Sequence, residues 1–225
     1  MREPMHEWNV PLEEAVALQQ RLRTLVQQEG SIKREDVRTV AGIDASYRDV
    51  ARAAVVVLAF PDMERLDEAV AARESVFPYV PGLLSFREGP VVLDALAKLT
   101  VQPDLLIFDG QGYAHPRRFG LASHLGVYLD RPSIGCAKSR LIGSYNEPGP
   151  EPGDRTPLLD RGEVIGAVLR TKARTKPLFI SVGHKIDLET AVEVVLRCLR
   201  GYRLPEPTRL AHNLADAAAR QGLCA

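Results

Sequence analysis

The spacing of apolar residues along this chain is first helical, then strand-like, then an alternation of the two. Leu12, Ala15, Val16, Leu22, Leu25 and Val26 mostly recur at steps of three and four, the spacing of one helix face. Pro11 suits a first turn, Glu13 and Glu14 favour the positive end of the helix dipole, and Gly30 closes the run, which predicts a helix over 11–30. Three β-type runs follow, TVAGIDASYRD, ARAAVVVLAF and EAVAARESVF, separated by polar or Pro-containing turns such as PDMERLDE. Connections this short favour an antiparallel meander. After PYVPG, the run LLSFREGPVVLDALAKL reads as a helix with an interruption near Gly89-Pro90, because proline removes a main-chain donor.

From DLLIFD onward strands and helices alternate. DLLIFD is almost wholly apolar, as expected for a strand inside a parallel sheet. RRFGLASHLGVYL is predicted helical and SIGCA a strand. PLLDRGEVIGAVLRT is predicted to be a hairpin turning at Arg161-Gly162. PLFISVG adds a strand, DLETAVEVVLRCLRGY a helix capped by Asp187, and PTRLAHNLADAAARQG a closing helix. EPGPEPGD (147–154) is the one low-complexity stretch and reads as an exposed loop. A meander joined to strand–helix units, with no repeat or linker, predicts one α/β domain spanning 1–225, its mixed sheet flanked by helices.

Composition changes this picture little. The 225 residues are 45% hydrophobic and 26% charged, ordinary for a globular chain. Lys plus Arg and Asp plus Glu both number 29, which argues against strong, indiscriminate nucleic-acid binding. Balanced charge is read here as a monomer whose nucleic-acid contacts come from a local basic surface. No stretch approaches the roughly 18–20 apolar residues that span a bilayer, and no secretory h-region opens the chain. A cytoplasmic protein without membrane contact is expected. Cys136, Cys198 and Cys224 lack metal-ligand spacing, and the first two read as reduced core residues.

Three acids sit where apolar runs meet polar ones: Asp44 in VAGIDASY, Glu88 in GLLSFREGP and Asp109 in LLIFDGQG. Carboxylates at such boundaries are costly to bury unless a cation compensates them, and Mg²⁺ suits clustered carboxylate oxygens. Taken singly, each acid is as readily a turn or helix cap, Asp109-Gly110 being good turn chemistry. Lys138 follows SIGCA and is either an exposed strand-end lysine or a cation for a phosphate oxygen. Two basic runs, Arg117-Arg118 and RTKARTK (170–176) with Lys172 and Lys176, are candidate phosphate contacts or simply solvated faces. The former is predicted to open a helix, whose N-terminus favours anions. FDGQG is not a dinucleotide fingerprint, because the third glycine and the ribose-binding acid are missing.

VAGIDASY, PYVPGLLSFRE, FDGQGYAHPRRFGLASHLG, the Lys138 region and PTRLAHNLA together resemble the endonuclease V family, in the family's order and over nearly the whole chain. The resemblance implies a ribonuclease H-like fold and a Mg²⁺-dependent nuclease, with Mn²⁺ as a substitute. The implied substrate is DNA containing deoxyinosine, cut at the second phosphodiester 3′ of the lesion to leave 3′-hydroxyl and 5′-phosphate ends. It implies Asp44, Glu88 and Asp109 as metal ligands, Lys138 as catalytic or phosphate-binding, and His212 as a catalytic group near the metal that positions water. PYVPG is implied as a wedge: Pro78 and Pro81 restrict the backbone so that Tyr79 enters a base stack. Gly82, Gly110 and Gly112, lacking Cβ, would let main-chain groups approach an extruded base. His115 would touch phosphate or a metal-bound water, whereas His124 and His184 read as structural.

Rival readings are an inosine-specific endoribonuclease, a hybrid nuclease or junction resolvase, a catalytically silent inosine or bent-DNA binding module, and a sugar-kinase-like ATP binder. Neither hybrid nor junction chemistry needs a wedge. A silent binder gains nothing from clustered negative charge beside phosphate, and no phosphate loop of the kinase type is visible.

Overall fold

The structure, a computed structural model, describes residues 5–30, 32–47, 50–75 and 77–220. Its frame is one eight-stranded mixed sheet. The strands are β1 (Thr39–Tyr47), β2 (Ala51–Ala59), β3 (Arg65–Arg73), β4 (Leu105–Phe108), β5 (Ser133–Ala137), β6 (Arg155–Asp160), β7 (Glu163–Leu169) and β8 (Leu178–His184), in the order β3-β2-β1-β4-β5-β8-β7-β6. The first three form the expected antiparallel meander. β4 lies parallel to β1 and to β5, while β8 returns antiparallel beside β5 and carries the β6–β7 hairpin to the far edge. That hairpin turns at Arg161 and Gly162, both at positive φ, as a two-residue turn of this kind requires.

Alternation assigns each strand residue to a face, and both faces are covered. Leu105 and Ile107 point to the side of α4 (Leu188–Arg197) and α5 (Glu206–Arg220), in one cluster with Val40, Val192 and Ala211. Leu106 and Phe108 point to the side of α2 (Leu84–Ala97) and α3 (Leu121–Leu129), with Ile43, Val91 and Leu125. Burial on both faces explains why β4 reads as an unbroken apolar run. Asp187 caps α4 as expected, its side chain accepting from the Thr190 N–H at 2.8 Å. Cys136 and Cys198 are free and buried; Cys224 lies outside the described residues.

Four expectations change. Helix α1 is Leu12–Leu22 and ends in a 3₁₀ turn over Arg23–Leu25, well short of Gly30. The Thr24 hydroxyl donates to the Arg21 carbonyl at 2.8 Å, a local bond that competes with helix continuation. α2 runs unbroken through Gly89 and Pro90. α3 starts only at Leu121, because Arg118 adopts a left-handed backbone at φ 57° that no helical first turn accommodates. Part of PDMERLDE, from Arg65 on, belongs to β3 rather than to the turn. Among the described residues no helix is long and apolar enough to cross a membrane.

Candidate active site

Three parallel neighbours deliver the chemistry from one end of the sheet. Ile43 of β1 registers opposite Phe108 of β4, and Phe108 opposite Gly135 of β5. Asp44 and Asp109 are the next residues along their strands, so parallel register sets the two carboxylates side by side at the carboxyl ends, where open α/β sheets collect ligands. The Asp109 N–H donates to the Ile43 carbonyl at 2.9 Å and fixes that alignment. Lys138 follows β5 directly, and its Nζ is ion-paired with Asp109 Oδ2.

His212 arrives from across the sheet on α5. Its Nδ1 lies 3.0 Å from Asp44 Oδ2 and its Nε2 3.7 Å from Asp216 Oδ2. The helix gets this close because Gly42, two residues before Asp44 on the same face, has no side chain: a Cβ there would lie 2.0 Å from the Pro207 carbonyl carbon and oxygen. Glu88 comes from α2 on the opposite face and is only 8% exposed.

Charge accumulates among these groups. Burial raises the Asp44 pKa to about 6, helped by the Asp109 charge and opposed by the His212 hydrogen bond. Burial, and then the Asp44 and Asp109 charges, raise Glu88 to about 8. One ligand atom each of Asp44, Asp109 and His212 lies within 4.8 Å of the others. Of the residues expected at the metal, His212 lies with the two aspartates, while Glu88 lies beside that group, buried and coupled to it by charge. Two carboxylate oxygens and an imidazole nitrogen, backed by a third acid and a single lysine, form a donor set that fits a divalent cation.

Folded Asp44 and Glu88 hold protons that the unfolded chain releases, so without a cation stability declines as pH rises. For Glu88 the decline spans its ordinary value of 4.5 to about 8. In EDTA the melting temperature should fall across this window, by an amount corresponding to roughly 5 kcal/mol. Glu88→Gln should remove most of the slope; an unchanged slope would show that Glu88 ionises normally.

Beside the acids lies a pocket of about 400 Å³ whose walls include Pro81, Gly82, Ser85, Asp109, Gly110 and Lys138. Tyr79 stands at its rim, 70% exposed. Gly82, at φ 82°, is held by its carbonyl, which accepts from Gln19 Nε2 (3.0 Å), His115 Nε2 (3.0 Å) and Arg117 Nη2 (2.7 Å). His115 Nδ1 accepts the Arg117 N–H at 3.2 Å, which leaves Nε2 as the donor, and burial lowers its pKa to about 4.

This clamp corrects several expectations. His115 and Arg117, expected to contact phosphate, both brace Gly82. Arg118 is neutralised by Asp160 and Glu163, each at 2.8 Å. Gly112 packs against the sheet away from the pocket; a Cβ there would lie 2.2 Å from the Val182 carbonyl oxygen. Within RTKARTK, Arg170 is buried against Glu147 at 2.6 Å, and Lys172 sits 6.0 Å from the Tyr202 ring. Arg174 and Lys176 instead line an open groove of about 1100 Å³ that Lys138 also borders. Lys138 is thus common to the groove and the pocket.

Two residues of this region escape a reading for chemistry. Gln19 is 1% exposed on α1, and its signal is a polar residue on the apolar stripe of Ala15 and Leu22. Ser85 carries no sequence signal of its own.

The Endonuclease V family profile matches residues 20–213. The chain belongs to the endonuclease V family. It is 56% identical over 210 residues to the endonuclease V of Roseiflexus sp. (strain RS-1), covering 93% of this chain and 94% of that protein. The crystal structure of endonuclease V from Streptomyces avermitilis superposes with a TM-score of 0.89 at 44% identity, covering 96% of both chains. A Ciona intestinalis endonuclease V, solved in complex with a 23mer DNA containing an inosine followed by a ribo-adenosine, superposes at 0.84 with 28% identity, covering 94% of this chain and 99% of that one. Family membership makes the protein a nuclease, and its sheet is of the ribonuclease H-like type.

Proposed function

We propose that this endonuclease V hydrolyses the second phosphodiester 3′ of a deoxyinosine in DNA, with Mg²⁺ as cofactor, leaving 3′-hydroxyl and 5′-phosphate ends. The observation that carries this reading is the shared wall: Asp109 and Lys138 belong at once to the acidic cluster and to the pocket beside it. A base seated in the pocket brings the neighbouring backbone to the acids. The inosine-containing DNA held by the Ciona relative supports the same substrate.

Asp44, Asp109 and His212 would hold Mg²⁺, or Mn²⁺ in its place, with the Glu88 charge behind them. Bound there, the ion supplies electrostatic stabilisation of charge developing on the phosphate and favours ionisation of the attacking water. Lys138 Nζ, beside Asp109, neutralises a phosphate oxygen. His212 Nδ1, on the Asp44 side, is the nitrogen that would join the two aspartates on the ion, which leaves Nε2, on the Asp216 side, to orient the water. Arg174 and Lys176 line the groove that would carry the strand onward from Lys138.

Tyr79 fits the wedge role because it is exposed at the pocket rim on a loop anchored through Gly82. Tyr79→Ala should lower the preference for inosine over undamaged duplex by roughly tenfold, since base–aromatic stacking contributes about 1–3 kcal/mol. Mg²⁺ binding should be untouched. Equal discrimination by variant and wild type in competition binding would refute the wedge.

The reading as a whole is tested with an end-labelled duplex carrying one deoxyinosine, incubated with Mg²⁺ or with EDTA. One nick is expected, a nucleotide beyond the lesion, with Mg²⁺ only. Metal-independent cutting, or equal cutting of an undamaged duplex, would overturn it.

A further inference from the structure

A chain of hydrogen bonds runs from the N-terminal segment to the pocket wall, and its direction can be worked out atom by atom. His6 Nδ1 lies 2.8 Å from the Glu7 carbonyl oxygen, which can only accept, so Nδ1 carries the proton. Neutral imidazole has one N–H, which leaves His6 Nε2 as an acceptor. That atom lies 2.7 Å from His124 Nε2, so His124 Nε2 must donate. His124 Nδ1 is therefore unprotonated, and it lies 2.8 Å from Ser85 Oγ. The Ser85 hydroxyl has to give its proton to His124, and its oxygen is left with lone pairs only.

The chain is built to stay in this state. Burial lowers the pKa of both histidines, His124 being wholly enclosed. Trp8 and Phe86 pack around both imidazoles, with ring centroids 4.6–5.7 Å apart. Trp8 itself sits over Gly89, where a Cβ would come within 2.6 Å of the indole, so the segment bearing His6 is pinned to α2. Ser85 is 2% exposed and belongs to the pocket wall.

We propose that Ser85 is a specificity-determining residue: its hydroxyl proton is committed to His124, so it meets a base in the pocket as an acceptor and favours 6-oxopurines, which carry N1–H, over purines whose N1 is a lone pair. Adenine and hypoxanthine differ at this edge, N1 accepting in the first and donating in the second. A serine free to rotate would suit both, because a hydroxyl both donates and accepts. Fixing the rotor turns an indifferent group into a selective one. A buried acceptor facing an acceptor is left unpaired, which is the more discriminating half of the arrangement. The inference rests on the pocket being the seat of the extruded base.

The test compares kcat/KM on duplexes carrying deoxyinosine or deoxynebularine, a purine with an unprotonated N1 and no 6-oxo group, for wild type, Ser85→Ala and His6→Ala. Loss of the 6-oxo group weighs equally on all three proteins, so changes in the inosine-to-nebularine ratio isolate N1. Ser85→Ala should lower the ratio about tenfold. His6→Ala, which frees His124 to take either tautomer, should lower it through better use of nebularine. ¹⁵N NMR of the wild-type protein should show His124 Nε2 protonated and Nδ1 bare, a reading that needs no variant to fold. An unchanged ratio in Ser85→Ala, or a protonated Nδ1, would overturn the proposal. A wild type that does not nick the inosine duplex at all would instead refute the proposed substrate, and the NMR would still report the direction of the chain.

Discussion

Asp109→Asn should leave the protein folded and able to bind an inosine-containing duplex, yet slow nicking by about 10³-fold or more. The substitution keeps the side chain's shape and removes one of two adjacent charges. Asp109 raises the pKa of both Asp44 and Glu88, so its neutralisation relaxes both toward their ordinary range. It also releases Lys138 from its ion pair, free to meet a phosphate. Binding should therefore be equal or tighter while turnover collapses, because what is lost is charge needed to hold a cation. Gel-shift affinity and single-turnover nicking measured on one preparation separate the two. Nicking within tenfold of wild type would remove Asp109 from the catalytic set.

Gly42→Ala is the second large effect, and it begins as a packing fault. The added methyl would lie 2.0 Å from two Pro207 backbone atoms, with no flexible side chain to give way. Helix α5 must lift from β1. Overpacking of this kind costs about 3 kcal/mol or more, at the upper end of the usual range. For a chain of this size that corresponds to a fall of roughly 6–12 °C in melting temperature. The lift also draws His212 away from Asp44, so a folded variant assayed below its melting point should still be nearly inactive. Unchanged stability with unchanged nicking would show that α5 does not seat on Gly42.

Much of the site could be read from residue pattern because it depends on strands. An apolar run ending in Asp announces a carboxylate at a sheet end, and the meander followed by DLLIFD sets β1 against β4. The elements that sequence misplaced are those whose backbone answers to distant partners. Arg117 and Arg118 look like a basic patch at a helix start, but Arg117 is turned onto the Gly82 carbonyl, and Arg118 has a left-handed backbone and pairs with Asp160 and Glu163. His115 and Gly112, adjacent to a plausible site in sequence, are spent on Gly82 and on β8 respectively. β8, running antiparallel next to β5, could not be inferred from local spacing, since its register is set by partners more than forty residues earlier. His212 is legible only through the family resemblance, and its direct contact with Asp44 depends on a gap left by Gly42 that periodicity does not reveal.

The three-way grip on the Gly82 carbonyl has a practical corollary for protein engineering. Its donors come from α1 and from the segment before α3, so the rim of the pocket is tied to a helix near the start of the chain. The family profile begins at residue 20, one position after Gln19. A truncated version designed to that boundary would discard the amide and with it one of the three anchors, while keeping every acid at the sheet edge. Such a fragment would also lose the core contacts of Ala15 and Leu18, and its shortcomings would be misattributed to the acidic residues it had preserved.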